Sequence, residues 1–290
     1  MQEIKLSTSE LVLNKEGKIY HLNLKPENIA DKIILVSDPA WVEKLSSFFD
    51  NVDFKVSNRE FTTHTGFYKG TRLTVTSTGL GSDNMDIVIN EFDALVNIDL
   101  KNRVINKEHR SLQFVRIGIS GSLQEDLKEG SMILSKIAGG FDGLIHYYRD
   151  GYTVCDEKIE KAFIEHTNWF DKRPTPYFVY SDDELFNRFN DGILSGITLS
   201  APGFYGPQNR MLRLPVIDPE LINRLVDFRI DGNKIMNMEM ESSGLFGMSK
   251  LLGHKAVTIC GILTNRLTKQ VAKDYESMID KLFKFSLNHI

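Results

Sequence analysis

Ile33-Ile34-Leu35-Val36-Ser37-Asp38-Pro39-Ala40-Trp41 joins a short apolar run to the opening of a helix. Ile33 to Val36 has the length and branching of a buried strand, Asp38 stands where an N-cap would, and Pro39 fits the first helical position. The amphipathic stretch to Phe49 continues as helix. Leu73 to Thr78 repeats the pattern, with Gly79 and Gly81 turning the chain into a second helix expected from about Asp83 to Val96. Phe114 to Ile119, Met132 to Ile137, Ile193 to Ser200 and Ala256 to Leu263 read as further buried strands. Strands alternating with helices argue for an α/β domain with a mostly covered sheet. The polar, charged interval 97–111 reads as a surface insertion that shapes a subunit contact. Sites in such folds form where loops leave strand ends, so the polar residues closing these runs are the candidates.

The 290 residues, 41% of them hydrophobic, can bury a sizeable core, and no Pro/Gly/Ser-rich linker divides them. A net charge of −4 provides no basic footprint for nucleic acid or an anionic membrane, which leaves small molecules as the expected partners. Cys155 and Cys260 are far apart and lack CxxC spacing, which argues against a disulfide framework or structural zinc and suits a reducing cytoplasm. The first residues carry no apolar signal region, and no apolar run approaches a membrane span. Neither a P-loop nor a His-Glu-x-x-His motif is present, so no metal is expected. Gly79-Leu80-Gly81 and Gly118-Ile119-Ser120-Gly121 fall short of a dinucleotide fingerprint, which argues against a dehydrogenase.

Three segments carry chemistry. Asn237-Met238-Glu239-Met240-Glu241-Ser242-Ser243 sets close carboxylates before a helix marked by Leu245, Met248, Leu251 and Leu252, which ends at Gly253. Glu241 lies at or near its N-terminus, where the dipole alone would favour a carboxylate. Arg116, inside Phe114-Val115-Arg116-Ile117-Gly118, needs an anion, either an internal carboxylate or a ligand. In Phe204-Tyr205-Gly206-Pro207-Gln208-Asn209-Arg210, a Gln carboxamide can accept from a pyrimidine N3–H while donating to O2, and an Arg can donate to O4. The amino group of cytosine would oppose donor to donor. Phe204 would suit a sugar or base face as well as an ordinary core.

From about residue 20 to residue 268 these motifs resemble, in order, the uridine phosphorylase branch of the nucleoside phosphorylase superfamily. The resemblance implies a single domain over 1–290, with its core from about residue 20, and a central mixed β-sheet flanked by helices in three α/β/α layers. It implies a pentosyltransferase that splits uridine with inorganic phosphate as co-substrate, and no other cofactor. Arg116, Glu241, Arg210 and His21 would be catalytic. Arg59, Arg116, Ser37 and Ser120 would bind phosphate, while His21, Met240 and Glu241 would bind ribose. Phe204, Gln208, Arg210 and Arg266 would read the base, and Asn265 stands where the purine branch tends to carry Asp. Arg59 and His21 match residues that reach into a neighbouring subunit, so the smallest active unit would be a homodimer, with assembly beyond the dimer open. Some relatives hold a monovalent cation near the position of Glu60. Asn84 departs from its second partner there, and that cation stays open.

The pattern breaks at the phosphate end. Trp41 occupies the place of a phosphate-binding Arg, Ile119 that of a Thr touching phosphate and ribose, and Met238 replaces an aromatic. A lost charged hydrogen bond is worth roughly 1.5–3 kcal/mol. Two alternatives follow: a nucleosidase-like hydrolase, with Asp38 or Glu239 to activate water, or a catalytically silent nucleoside-binding protein. The choice between uridine, deoxyuridine and 5-methyl bases is not readable from the residues.

Overall fold

The computed structural model describes residues 5–290. Strand β1 (Lys32–Val36) leads into α1 (Pro39–Ser46), where Asp38 caps the helix by accepting from the Ala40 amide at 2.9 Å. The helix stops at Ser46, short of Phe49. An antiparallel meander follows, β2 (Asn51–Asn58), β3 (Phe61–Tyr68) and β4 (Thr71–Ser77), and then α2 (Ser82–Asn97). Within the expected insertion, β5 (Ile98–Asp99) and β6 (Val104–Ile105) pair as a small separate hairpin.

The second half supplies β7 (Gln113–Ser122), β8 (Met132–Gly140), α3 (Glu157–Thr167), β9 (Tyr177–Tyr180), α4 (Asp183–Phe189) and β10 (Leu194–Ser200). It ends with α5 (Leu221–Asp227), β11 (Arg229–Ile230), β12 (Asn233–Glu239), α6 (Ser242–Leu251), β13 (Lys255–Asn265), β14 (Gln270–Val271) and α7 (Tyr275–His289). The predicted strands and the three predicted helices, α1, α2 and α6, are present. The strand expected over Phe114 to Ile119 runs on through Ser120 and Gly121 as part of β7, because β13 pairs with it as far as Ser122.

The main sheet runs β11-β12-β10-β8-β13-β7-β1-β4-β3-β2 and is mixed. It also curls: β12 pairs back onto β7 through Asn237–Ser122 and Met238–Gly121. The strands β7, β13, β8, β10 and β12 therefore close a ring, which brings Glu239 beside the strand that carries Arg116. Side chains of β1 alternate between two cores. Ile33 and Leu35 pack with α2 and α6, Ile34 and Val36 with α1 and α7, and a third cluster joins α3 and α5 to β10 and β12. Burial on both faces explains why β1 reads as a continuous apolar run. No helix among the described residues is long and apolar enough to cross a membrane.

Candidate active site

A cavity of about 570 Å³ opens at the ends of these strands. Ser37 and Trp41 reach it from the β1–α1 junction, Arg116, Ile119 and Ser120 from β7, and Phe204, Gln208 and Arg210 from the loop after β10. Met238, Glu239, Met240 and Glu241 come from the end of β12, and Tyr275 from the start of α7. Tyr275 carries no motif, and nothing in the sequence links it to residues so distant along the chain.

Arg116 has anions close at hand. Its Nη1 lies 3.0 Å from Glu239 Oε2, its Nη2 bonds Glu241 Oε2, and none of the three side chains is more than 3% exposed. The guanidinium folds over Gly118, where a Cβ would stand 2.3 Å from Nη1, so a glycine is needed for the approach. Two carboxylates thus share one cation out of water. Burial pushes the Glu241 carboxyl upward against the pull of Arg116, and Glu239 adds to the rise. Burial also works against the Arg116 charge, but Glu241 and Glu239 outweigh it and keep the guanidinium protonated.

The two carboxylates are held differently. Glu239 accepts from the Glu241 amide at 3.0 Å, from the Ser242 amide at 3.1 Å and from the Ser200 hydroxyl. Glu241 is the residue before α6 but makes no capping bond, so Glu239 supplies the negative charge at that helix N-terminus. Besides Arg116, Glu241 accepts, among the described residues, only from the Gly81 amide, at 2.9 Å. Ser120 Oγ accepts from Asn237 Nδ2 at 2.8 Å across the ring closure.

At the other end, Arg210 stacks its guanidinium carbon 4.3 Å from the Phe204 ring centroid. Its Nε is buried with no hydrogen-bond partner among the described residues, and burial lowers its pKa. An unmet buried donor costs about 1–3 kcal/mol, so the placement of Arg210 does not serve the stability of the fold. Arg266 does not line the cavity. Its Nη1 donates to the Gln208 carbonyl and its Nη2 to the Asn209 carbonyl at 3.2 Å, which holds the loop that presents Gln208. Burial and the Arg210 charge pull Arg266 down to about 10. Asn265 spends its carboxamide on the Gln124 and Leu127 carbonyls and on the amides of Leu267 and Thr268.

His21 and Arg59 also lie outside the cavity's wall. His21 Nδ1 is 2.7 Å from Glu91 Oε1, and Arg59 Nη2 donates to the Tyr20 hydroxyl at 3.1 Å, while Asn58 Nδ2 donates to the His21 carbonyl at 2.7 Å. The two residues thus share one surface patch. Glu60 and Asn84 approach each other around Gly79.

Two further features lie apart from this constellation. A cavity of about 700 Å³ behind the same loop shares Arg210, but its wall is formed by Trp169, Leu212, Leu214, Pro215 and Ile217 among others, without an acidic residue. Asp93, His109 and His254 bring ligand-type atoms within 4.8 Å of one another. The Leu112 amide donates to His254 Nδ1 at 3.1 Å, however, which leaves the ring proton on Nε2, 3.2 Å from Asp93 Oδ1. A nitrogen carrying a proton has no lone pair for a metal.

Comparison with known proteins agrees with this geometry. Residues 31–287 match the family model described as the phosphorylase superfamily. A uridine phosphorylase from Thermococcus kodakarensis is 30% identical over 271 residues, covering 93% of this chain and 85% of that protein. One from Haemophilus influenzae is 27% identical over 258 residues, covering 88% and 90%. A Trypanosoma brucei nucleoside phosphorylase, whose crystal structure is described as showing uridine phosphorylase activity, superposes with a TM-score of 0.86 at 26% identity over 96% of this chain and 98% of that one. The chain belongs to the phosphorylase superfamily, within its uridine phosphorylase branch.

Proposed function

We propose that this enzyme is a uridine phosphorylase, a pentosyltransferase that converts uridine and inorganic phosphate to uracil and ribose 1-phosphate. The observation that carries the reading is the pairing, across one cavity, of a base-reading end (Gln208 and the under-satisfied Arg210) with a buried carboxylate–guanidinium end (Glu241 and Arg116). Phosphate oxygen forms the new bond to the anomeric carbon as the N-glycosidic bond breaks, and the bonding pair leaves with uracil. Arg210 and Gln208 stabilise the charge that spreads over the uracil oxygens. Glu241 and Met240 orient the ribose, while Arg116, Ser37 and Ser120 hold phosphate below it. Arg266 acts as a positioning residue for the base loop.

Arg59 of the partner subunit and His21 of the partner subunit complete the phosphate and ribose sites in this reading, so the working unit is a homodimer. Their position away from the chain's own cavity supports that assignment. The free thiols Cys155 and Cys260 suit a reducing cytoplasm.

Trp41 and Ile119 at the phosphate end favour a second reading, hydrolysis by water. Uracil release from uridine across a phosphate titration decides between them. Release that needs phosphate and yields ribose 1-phosphate supports the phosphorylase, whereas phosphate-independent release of free ribose supports the hydrolase. Bound uridine without turnover would mark a silent binding protein.

A further inference from the structure

The grip on Arg116 is asymmetric. Glu239 is locked by two backbone amides and a buried serine hydroxyl in addition to the guanidinium. Among the described residues Glu241 has the Gly81 amide as its one other donor, and it borders the cavity. One carboxylate on Arg116 is therefore fixed, and the other can exchange partners.

The roles proposed above draw on the same atoms. Ribose hydroxyls need the lone pairs of Glu241, and phosphate needs the donors of Arg116, yet in the ligand-free chain these two groups spend them on each other. The geometry points to Glu241 as a coupling residue: nucleoside hydroxyls draw its carboxylate away from Arg116, the released guanidinium edge takes the anion, and nucleoside and phosphate bind with positive cooperativity. This inference rests on the uridine phosphorylase reading.

Charge drives the coupling. With Glu241 in place, an approaching phosphate meets one guanidinium already shared by two carboxylates, in surroundings of low dielectric where repulsion is strong. Once the sugar holds Glu241, phosphate gains the vacated Nη2 of Arg116, while Nη1 stays with Glu239. Linkage makes the effect reciprocal, so phosphate tightens nucleoside binding by the same factor. 2′-Deoxyuridine offers one hydroxyl fewer to Glu241 and couples less.

The test is initial-rate uracil release over a grid of uridine and phosphate concentrations, repeated with 2′-deoxyuridine. The phosphate KM should fall by at least about threefold between limiting and saturating uridine, and by less with the deoxynucleoside. Glu241→Gln removes the ion pair, so its phosphate KM should be independent of uridine even as its uridine KM rises. A residue with only a structural role would change both constants and keep the coupling. A wild-type phosphate KM that ignores uridine, or equal coupling for the two nucleosides, overturns the inference. The wild-type comparison keeps the test decisive if the variant fails to fold. Absence of phosphate-dependent uracil release would overturn the functional reading itself, and the coupling with it.

Discussion

The Trp41 indole meets the Phe283 ring edge-on, with 5.3 Å between ring centroids. Trp41 is thus a core residue, 8% exposed and packed between α1 and α7, as well as a wall of the cavity. Restoring the family's arginine there would bury a cation against Phe283. Trp41→Arg should cost stability on the scale of a large core truncation, about 3–5 kcal/mol, visible as a lower Tm before any gain in phosphate affinity can be read.

Ile119 is the better place to rebuild the phosphate site. It is half-buried and lies on the cavity, so Ile119→Thr returns a hydroxyl at modest packing cost. One regained hydrogen bond of about 1 kcal/mol should lower the phosphate KM roughly fivefold with little change in the uridine KM. An unchanged phosphate KM in steady-state assays would show that phosphate does not pass this residue.

Arg210 separates ligand recognition from folding. Its Nε is buried without a hydrogen-bond partner among the described residues, so the guanidinium makes no bond there for the fold, while Arg210 still lines the cavity. Arg210→Met should lower kcat/KM for uridine by about 10²-fold or more while leaving Tm unchanged or higher. A large fall in Tm would mean that the guanidinium serves the fold.

Much of this site was legible because its residues sit in short motifs at strand ends. The Met-Glu-Met-Glu stretch announced paired carboxylates, and the Phe-Tyr-Gly-Pro-Gln-x-Arg stretch a base-reading loop. What stayed hidden depends on contacts distant in sequence. That Glu239, one position before Met240, holds both the α6 amides and Arg116 follows from β12 closing onto β7, a register no local pattern encodes. Arg266 could be matched to a motif, but its bonds to the Gln208 and Asn209 carbonyls needed the folded loop. Tyr275 opens a helix whose apolar face gave no sign of the cavity.

Stability should depend on pH through Glu241. Burial, with Glu239 beside it, raises its folded-state pKa above the ordinary 4.5. For an acid raised in the folded state, the associated stability is complete below the unfolded pKa and is lost as pH rises through the folded one. Wild-type Tm should therefore decline from mildly acidic toward neutral pH more steeply than that of Glu241→Gln. Parallel Tm profiles for the two proteins would show that Glu241 is ionised throughout that range.

Arg59 and Arg116 provide the sharpest test of subunit sharing. Arg116 lines the chain's own cavity, whereas Arg59 lies on the Tyr20–His21 patch outside it. If each site takes Arg59 of the partner subunit, Arg59→Ala and Arg116→Ala are each nearly inactive as homodimers. In a mixed dimer, the Arg59→Ala chain keeps its own Arg116 and receives an intact Arg59, so one of its two sites is whole. Unfolding and refolding an equimolar mixture places half of the chains in mixed dimers, and recovered activity should approach about a quarter of wild type. Sites built within a single chain would recover nothing on mixing, since every chain would lack one of its two arginines.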